Sequence, residues 1–103
     1  MNSRAKGKRG ELELAHILQG YGIEARRGQQ YSGIEGEDVV GLEGIHIECK
    51  RVEQLNIDKA MEQSRRDAGD KTAVVMHKKN HKPWLVTMDL DDWMRLYIAA
   101  MDL

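Results

Sequence analysis

The chain has 103 residues, enough for one domain with a modest core, and 16 Lys+Arg against 17 Asp+Glu leave a net charge of −1, which selects no partner by itself. Its one cysteine excludes an internal disulfide and argues against a Cys-ligated zinc site, and no run of eighteen apolar residues is there to cross a membrane. The basic N-terminus lacks the apolar core of a secretory signal, so a cytoplasmic, reducing compartment is expected.

Residues 7–19, GKRGELELAHILQ, place Leu14, Ile17 and Leu18 at the i, i+3, i+4 spacing of a helix, which Gly20 and Gly22 end. Residues 23–27 predict a short strand, and 28–36 a polar, Gly-rich loop. EDVVGL and GIHIECKR predict two strands joined by a tight turn between Gly41 and Gly44. Residues 56–70 predict a helix with Ile57, Ala60, Met61 and Ser64 inward, stopped by Gly69. KTAVVMHKK is a buried-type strand and WLVTM another. DLDDWMRLYIAAM is a closing helix with acids in its first turn, where the macrodipole favours them. The order α-β-β-β-α-β-β-α predicts a single α/β domain over 1–103, one mixed sheet flanked by helices.

Charge is unevenly spread. Residues 1–82 hold 15 of the 16 bases and 13 of the 17 acids. The bases cluster: Arg4, Lys6, Lys8 and Arg9; Arg26 and Arg27; Lys50 and Arg51; Arg65 and Arg66; Lys78, Lys79 and Lys82. They form a phosphate-binding stripe if the fold gathers them, and ordinary solvated faces if it does not.

Strand alternation puts Ile45, Ile47 and Cys49 on one face and His46, Glu48 and Lys50 on the other. The apolar set is expected to face the core and the second set the opposite surface. Counting outward from the turn, Asp38 falls opposite Glu48, although sequence alone leaves the register open by one residue. Two facing carboxylates repel, and a divalent cation between them removes the conflict. Such an oxygen-rich pair suits Mg²⁺, and Lys50 beside it could orient a water or stabilise charge on a phosphate. Glu11 lies on the apolar stripe of the first helix and could reach toward Asp38 and Glu48, whereas Glu13 points away as a surface acid. The bland alternative is a solvated strand face with a Glu48–Lys50 salt bridge.

With KGKRGELEL opening the first helix, YSG in the loop, EDVV in the second strand and IECKR in the third, the chain resembles the PD-(D/E)xK nuclease superfamily. More narrowly, it resembles the archaeal-type Holliday junction resolvases and their phage-encoded relatives. The resemblance spans roughly residues 6–88, with Glu37 where the superfamily name has Pro. It implies a restriction-endonuclease-like fold and Mg²⁺-dependent hydrolysis of DNA phosphodiesters, with Mn²⁺ a substitute. Glu11, Asp38 and Glu48 would be the acidic, metal-holding set and Lys50 the catalytic lysine. Ser32 would be the loop serine of such resolvases, and Lys6, Arg9 and Arg27 would hold phosphates. A homodimer acting on a four-way junction is implied. Its inner face could use Trp84, Trp93, Tyr97, Ile98 and Met101, which exceed what a small core needs.

Further residues expected at DNA are Lys8, Arg26 and Arg51 from the basic clusters, Lys78 and Lys79 at a hairpin tip, and Tyr31 as a stacking ring. His46 is expected as a solvated strand histidine, His16 as a surface residue, and Gln63 as a polar residue facing the site. The His77–His81 pair sits in a turn rather than on a helix, so it is not expected to bind metal. Competing functions are the same chemistry on flap, nicked or linear DNA, an inactive DNA-binding module, and an α/β protein with no nucleic-acid role.

Overall fold

The structure is a computed structural model that describes residues 3–28 and 37–103. Its elements are α1 (Ser3–Gly20), β1 (Arg26–Arg27), β2 (Val39–Val40), β3 (Ile45–Arg51), α2 (Ile57–Ala68), β4 (Thr72–Lys78), β5 (Leu85–Met88) and α3 (Leu90–Met101). The strands form one sheet in the order β1-β2-β3-β4-β5, antiparallel throughout except for the parallel β3–β4 pair. A parallel pair needs a crossover, and α2 supplies it.

That crossover explains the burial. α1 packs Leu14 and Ala15 against Ile47, Cys49, Val74 and Met76 on one face, while α2 packs Ala60 and Met61 against Val75 on the other. Covered on both sides, β3 and β4 each bury four consecutive residues, 46–49 and 73–76. Ile47 and Val75 are fully enclosed, each contributing about 1.5–3 kcal/mol of transfer free energy.

α2 starts where the Asn56 side chain accepts from the Lys59 amide at 3.1 Å and ends at Gly69, whose φ of 60° suits glycine. Ser64 Oγ, wholly buried, donates to the Val74 carbonyl at 2.9 Å and ties α2 to β4. α1 approaches β3 closely: a Cβ on Gly10 would lie 2.5 Å from the Arg51 Cβ.

Several expectations need correction. β1 is only two residues long, because the Ala25 amide bonds back to the Ile23 carbonyl at 2.8 Å in a local turn. Ile17 is exposed, and Ala15 takes its place against the sheet. Glu13 is no ordinary surface acid. It accepts from Trp84 Nε1 at 3.0 Å and stands 3.6 Å from Arg51 Nε, so Trp84 belongs to the intramolecular packing.

α3 has no buried residue. It exposes Leu90, Trp93, Met94, Leu96, Tyr97, Ile98 and Met101, with the Trp93 and Tyr97 rings stacked at 5.4 Å; Leu85 and Val86 on β5 are exposed as well. Arg65 on α2 clamps the α3 cap residue Asp89 with two hydrogen bonds, at 2.6 and 3.1 Å. Among the described residues, no helix is long and apolar enough to cross a membrane.

Candidate active site

The β2–β3 register pairs Val39 with Ile47, which sets Asp38 across from Glu48. The Asp38 amide donates to the Ile47 carbonyl at 3.0 Å, and the Cys49 amide donates to Asp38 Oδ2 at 2.8 Å. Asp38 is thus pinned along β3 by the backbone of the residue after Glu48. Lys50, two residues on from Glu48, donates to Gln63 Oε1 of α2 at 3.2 Å.

From α1, Glu11 joins the same place. Its carboxylate accepts from Arg27 Nε at 2.6 Å and is largely buried. Burial raises the Glu11 carboxyl above its ordinary value; the Arg27 hydrogen bond opposes this and the Asp38 charge adds to it. Glu11, Asp38, Glu48, Lys50 and Gln63 line one cavity of about 340 Å³ at the end of β3, together with Lys6 and Arg51.

Glu48 is the most perturbed group. Only 2 % exposed, its carboxyl is pushed up to about 8, first by burial, then by the Asp38 charge and a hydrogen bond with Asp38, against the pull of Lys50. Its Oε1 lies 3.1 Å from His46 Nε2, and its Oε2 is buried with no hydrogen-bond partner among the described residues. Cys49, between Glu48 and Lys50, is a core residue whose thiol burial pushes up to about 12, far from a reactive thiolate.

The face read from sequence as surface is therefore interior. His46, expected to be solvated, is 2 % exposed because α2 covers that side. The signal lay in the sequence: a strand–helix–strand crossover covers the second face of its parallel pair.

The expected DNA contacts divide by position. A second cavity of about 510 Å³ adjoins the first and is lined by Lys6, Arg9, Glu13, Arg51 and Asn80. Lys6 and Arg51 border both. Lys8 and Arg26 are exposed and line neither. Arg27, expected at phosphate, pairs with Glu11. Lys78 pairs in register with Arg51, at the same end of the sheet, and with Lys79 borders a separate groove. His77 is held within the sheet, Nε2 being 2.8 Å from Thr87 Oγ1. Tyr31 and Ser32 lie outside the described residues.

No protein-family model matches the chain, and no curated protein matches it. Among solved structures it is similar to Hjc of Archaeoglobus fulgidus, a Holliday junction resolvase from an archaeal hyperthermophile. The TM-score is 0.57 at 25% sequence identity, over 81% of this chain and 72% of the other. The mixed five-stranded sheet with its three helices matches in element order. The chain therefore has the restriction-endonuclease-like nuclease fold of the archaeal-type Holliday junction resolvases.

Proposed function

We propose that this chain is a divalent-metal-dependent, structure-selective DNA endonuclease whose substrate is the four-way junction. The observation that carries the proposal is the convergence of Glu11, Asp38, Glu48 and Lys50, from α1, the residue before β2, and β3, on one cavity of a resolvase-like fold.

The donor set suits a hard divalent cation. Asp38 and Glu48 offer carboxylate oxygens from facing positions, and Glu48 Oε2 is a buried acceptor with no hydrogen-bond donor among the described residues. Asp38 and Glu48 would hold Mg²⁺ or Mn²⁺, with Glu11 completing the acidic set. When bound, such an ion supplies Lewis acidity at a phosphate oxygen and lowers the pKa of a water.

The chain's own groups account for the rest. The Cys49 amide fixes the aim of Asp38, and Gln63 fixes Lys50. The Lys50 ammonium, held beside the acids, offsets negative charge that grows on the scissile phosphate. Lys6 and Arg51, shared by the two cavities, are placed to hold the flanking phosphates, and Arg9 extends that grip along the strand.

A four-way junction is cut in two strands, so the reading takes a homodimer as the working form. The apolar face of α3, with Trp93, Tyr97, Ile98 and Met101 exposed, supports a second copy as its cover. The test is a panel of labelled DNAs, namely a synthetic four-way junction, a flap, a nicked duplex and a linear duplex, with and without Mg²⁺. Cleavage confined to the junction and dependent on Mg²⁺ is expected. Equal cutting of linear duplex overturns the junction claim, and no metal-dependent cutting of any DNA overturns the nuclease claim.

A further inference from the structure

On the α2 side of the sheet lies a second constellation, which shares Glu48 with the candidate catalytic cavity and adds two residues, His46 and Asp67, that the nuclease reading does not use. His46 and Glu48 from β3 and Asp67 from the last turn of α2 bring one ligand atom each within 4.8 Å of one another. All three side chains are more than nine-tenths enclosed, with exposures of 2 %, 2 % and 8 %. We propose that His46, Glu48 and Asp67 form a second metal site, distinct from the Asp38–Glu48 pair, for a borderline transition-metal ion such as Zn²⁺ or Mn²⁺.

Four observations carry it. First, His46 Nε2 and Glu48 Oε1 are 3.1 Å apart, close to the roughly 3.3 Å between two ligands on one tetrahedral ion with bonds of about 2.0–2.1 Å. Second, among the described residues Asp67 Oδ1 is buried without a hydrogen-bond donor, a costly state for a carboxylate oxygen and one that a bound cation removes. Third, the other ring nitrogen of His46 faces Glu37 Oε1 at 3.9 Å, and Glu37 is ion-paired with Lys71. That separation is too long for a hydrogen bond, but it leaves a carboxylate on the side where a metal-ligating histidine usually has one. Fourth, the donors are mixed. One imidazole with two carboxylates favours Zn²⁺ or Mn²⁺ over Mg²⁺, whose preferred ligands are oxygens alone.

The guanidinium nearby, Arg66 Nε at 3.7 Å from Asp67 Oδ1, belongs to an exposed side chain. An ion there would tie the end of α2 to β3 and fix Glu48, the carboxylate shared with the candidate catalytic cavity. Its consequence is structural order around Glu48, separate from any role in cleavage.

The test uses the full chain and Co²⁺ as a spectroscopic probe, with melting followed in EDTA and in added Zn²⁺. The wild type is expected to develop visible Co²⁺ bands that Zn²⁺ displaces, and to melt higher with Zn²⁺ than in EDTA. His46→Gln and Asp67→Asn should each weaken Co²⁺ binding at least tenfold, whereas Asp38→Asn should keep the bands. In the wild type, which needs no folding control, Zn²⁺ should also shift the ring-nitrogen resonances of His46. Unmoved His46 resonances, or bands lost in Asp38→Asn but kept in His46→Gln and Asp67→Asn, overturn the proposal. The nuclease reading is independent of this result, since it stands or falls on cleavage by the wild type and its loss in Asp38→Asn.

Discussion

Lys50 donates a 3.2 Å hydrogen bond to Gln63, so the helix that follows β3 holds the ammonium at the rim of the acidic cavity. If that ammonium offsets charge on the phosphate, Lys50→Ala should lower kcat by about a hundredfold or more, as loss of a transition-state electrostatic contact does. Gln63→Ala should cost less, about tenfold, with junction affinity unchanged, because Gln63 positions Lys50 and touches no substrate atom. Single-turnover cleavage alongside a binding assay separates the two effects. Full activity of Lys50→Ala would remove the lysine from the chemistry.

The buried carboxyl of Glu48 makes stability depend on pH. Its folded-state value of about 8 lies above the ordinary 4.5, so the fold favours the protonated form. The resulting stabilisation is complete below about pH 4.5 and is lost as pH rises toward 8. In EDTA, the melting temperature should therefore fall from pH 6 to pH 8, and Glu48→Gln should flatten that slope. Each kcal/mol lost shifts Tm by roughly 4–8 °C in a domain of about this size, well within calorimetric reach. A flat profile for the wild type would mean that Glu48 is ionised in the fold.

Two glycines of α1 make a controlled pair. Among the described residues a Cβ on Gly7 meets nothing within 4 Å, whereas one on Gly10 meets the Arg51 Cβ at 2.5 Å. Gly7→Ala should raise stability by about 0.5–1 kcal/mol through helix propensity alone. Gly10→Ala gains the same propensity but must push α1 off β3, an overpacking cost of about 1–3 kcal/mol. It should be the less stable variant by denaturant unfolding. Equal stabilisation by both would show that α1 does not pack closely at Arg51.

Much of this architecture was legible in the chain. The Gly41–Gly44 turn and the alternation of IHIEC gave the Asp38–Glu48 facing, which the Val39–Ile47 pairing matches. Gly69, read as the stop of the second helix, is the residue at which α2 ends. Glu11 stood out because an acid on an apolar helical stripe is costly without a purpose. What sequence alone misjudged was depth. Alternation assigns residues to two faces without saying whether a layer covers the second, so His46 and Glu48 looked solvated and are enclosed. Asp67 was overlooked for a related reason. Nothing local distinguishes an acid in the last turn of a helix, and only the packing of α2 on β3 brings it to His46. The roles of Arg27 and Glu13 depend on contacts to Glu11 and Trp84 that spacing cannot foresee.

The exposed apolar face of α3 should be a contact between copies. Substituting charge at its centre, as in Trp93→Asp or Ile98→Asp, should shift the protein from dimer to monomer in sedimentation without lowering the melting temperature of the monomer, since neither side chain is buried in the chain. A wild type that sediments as a monomer at tens of micromolar would contradict this use of α3.

The most direct test of the central claim is the isosteric change Asp38→Asn, assayed on a synthetic four-way junction in Mg²⁺ for both cleavage and binding. The account predicts that the wild type cuts the junction, while the variant binds it with similar affinity and cuts it at least a hundredfold more slowly. Undiminished cleavage by Asp38→Asn would contradict the account, because the acids gathered at the end of β3 would then not be the catalytic centre.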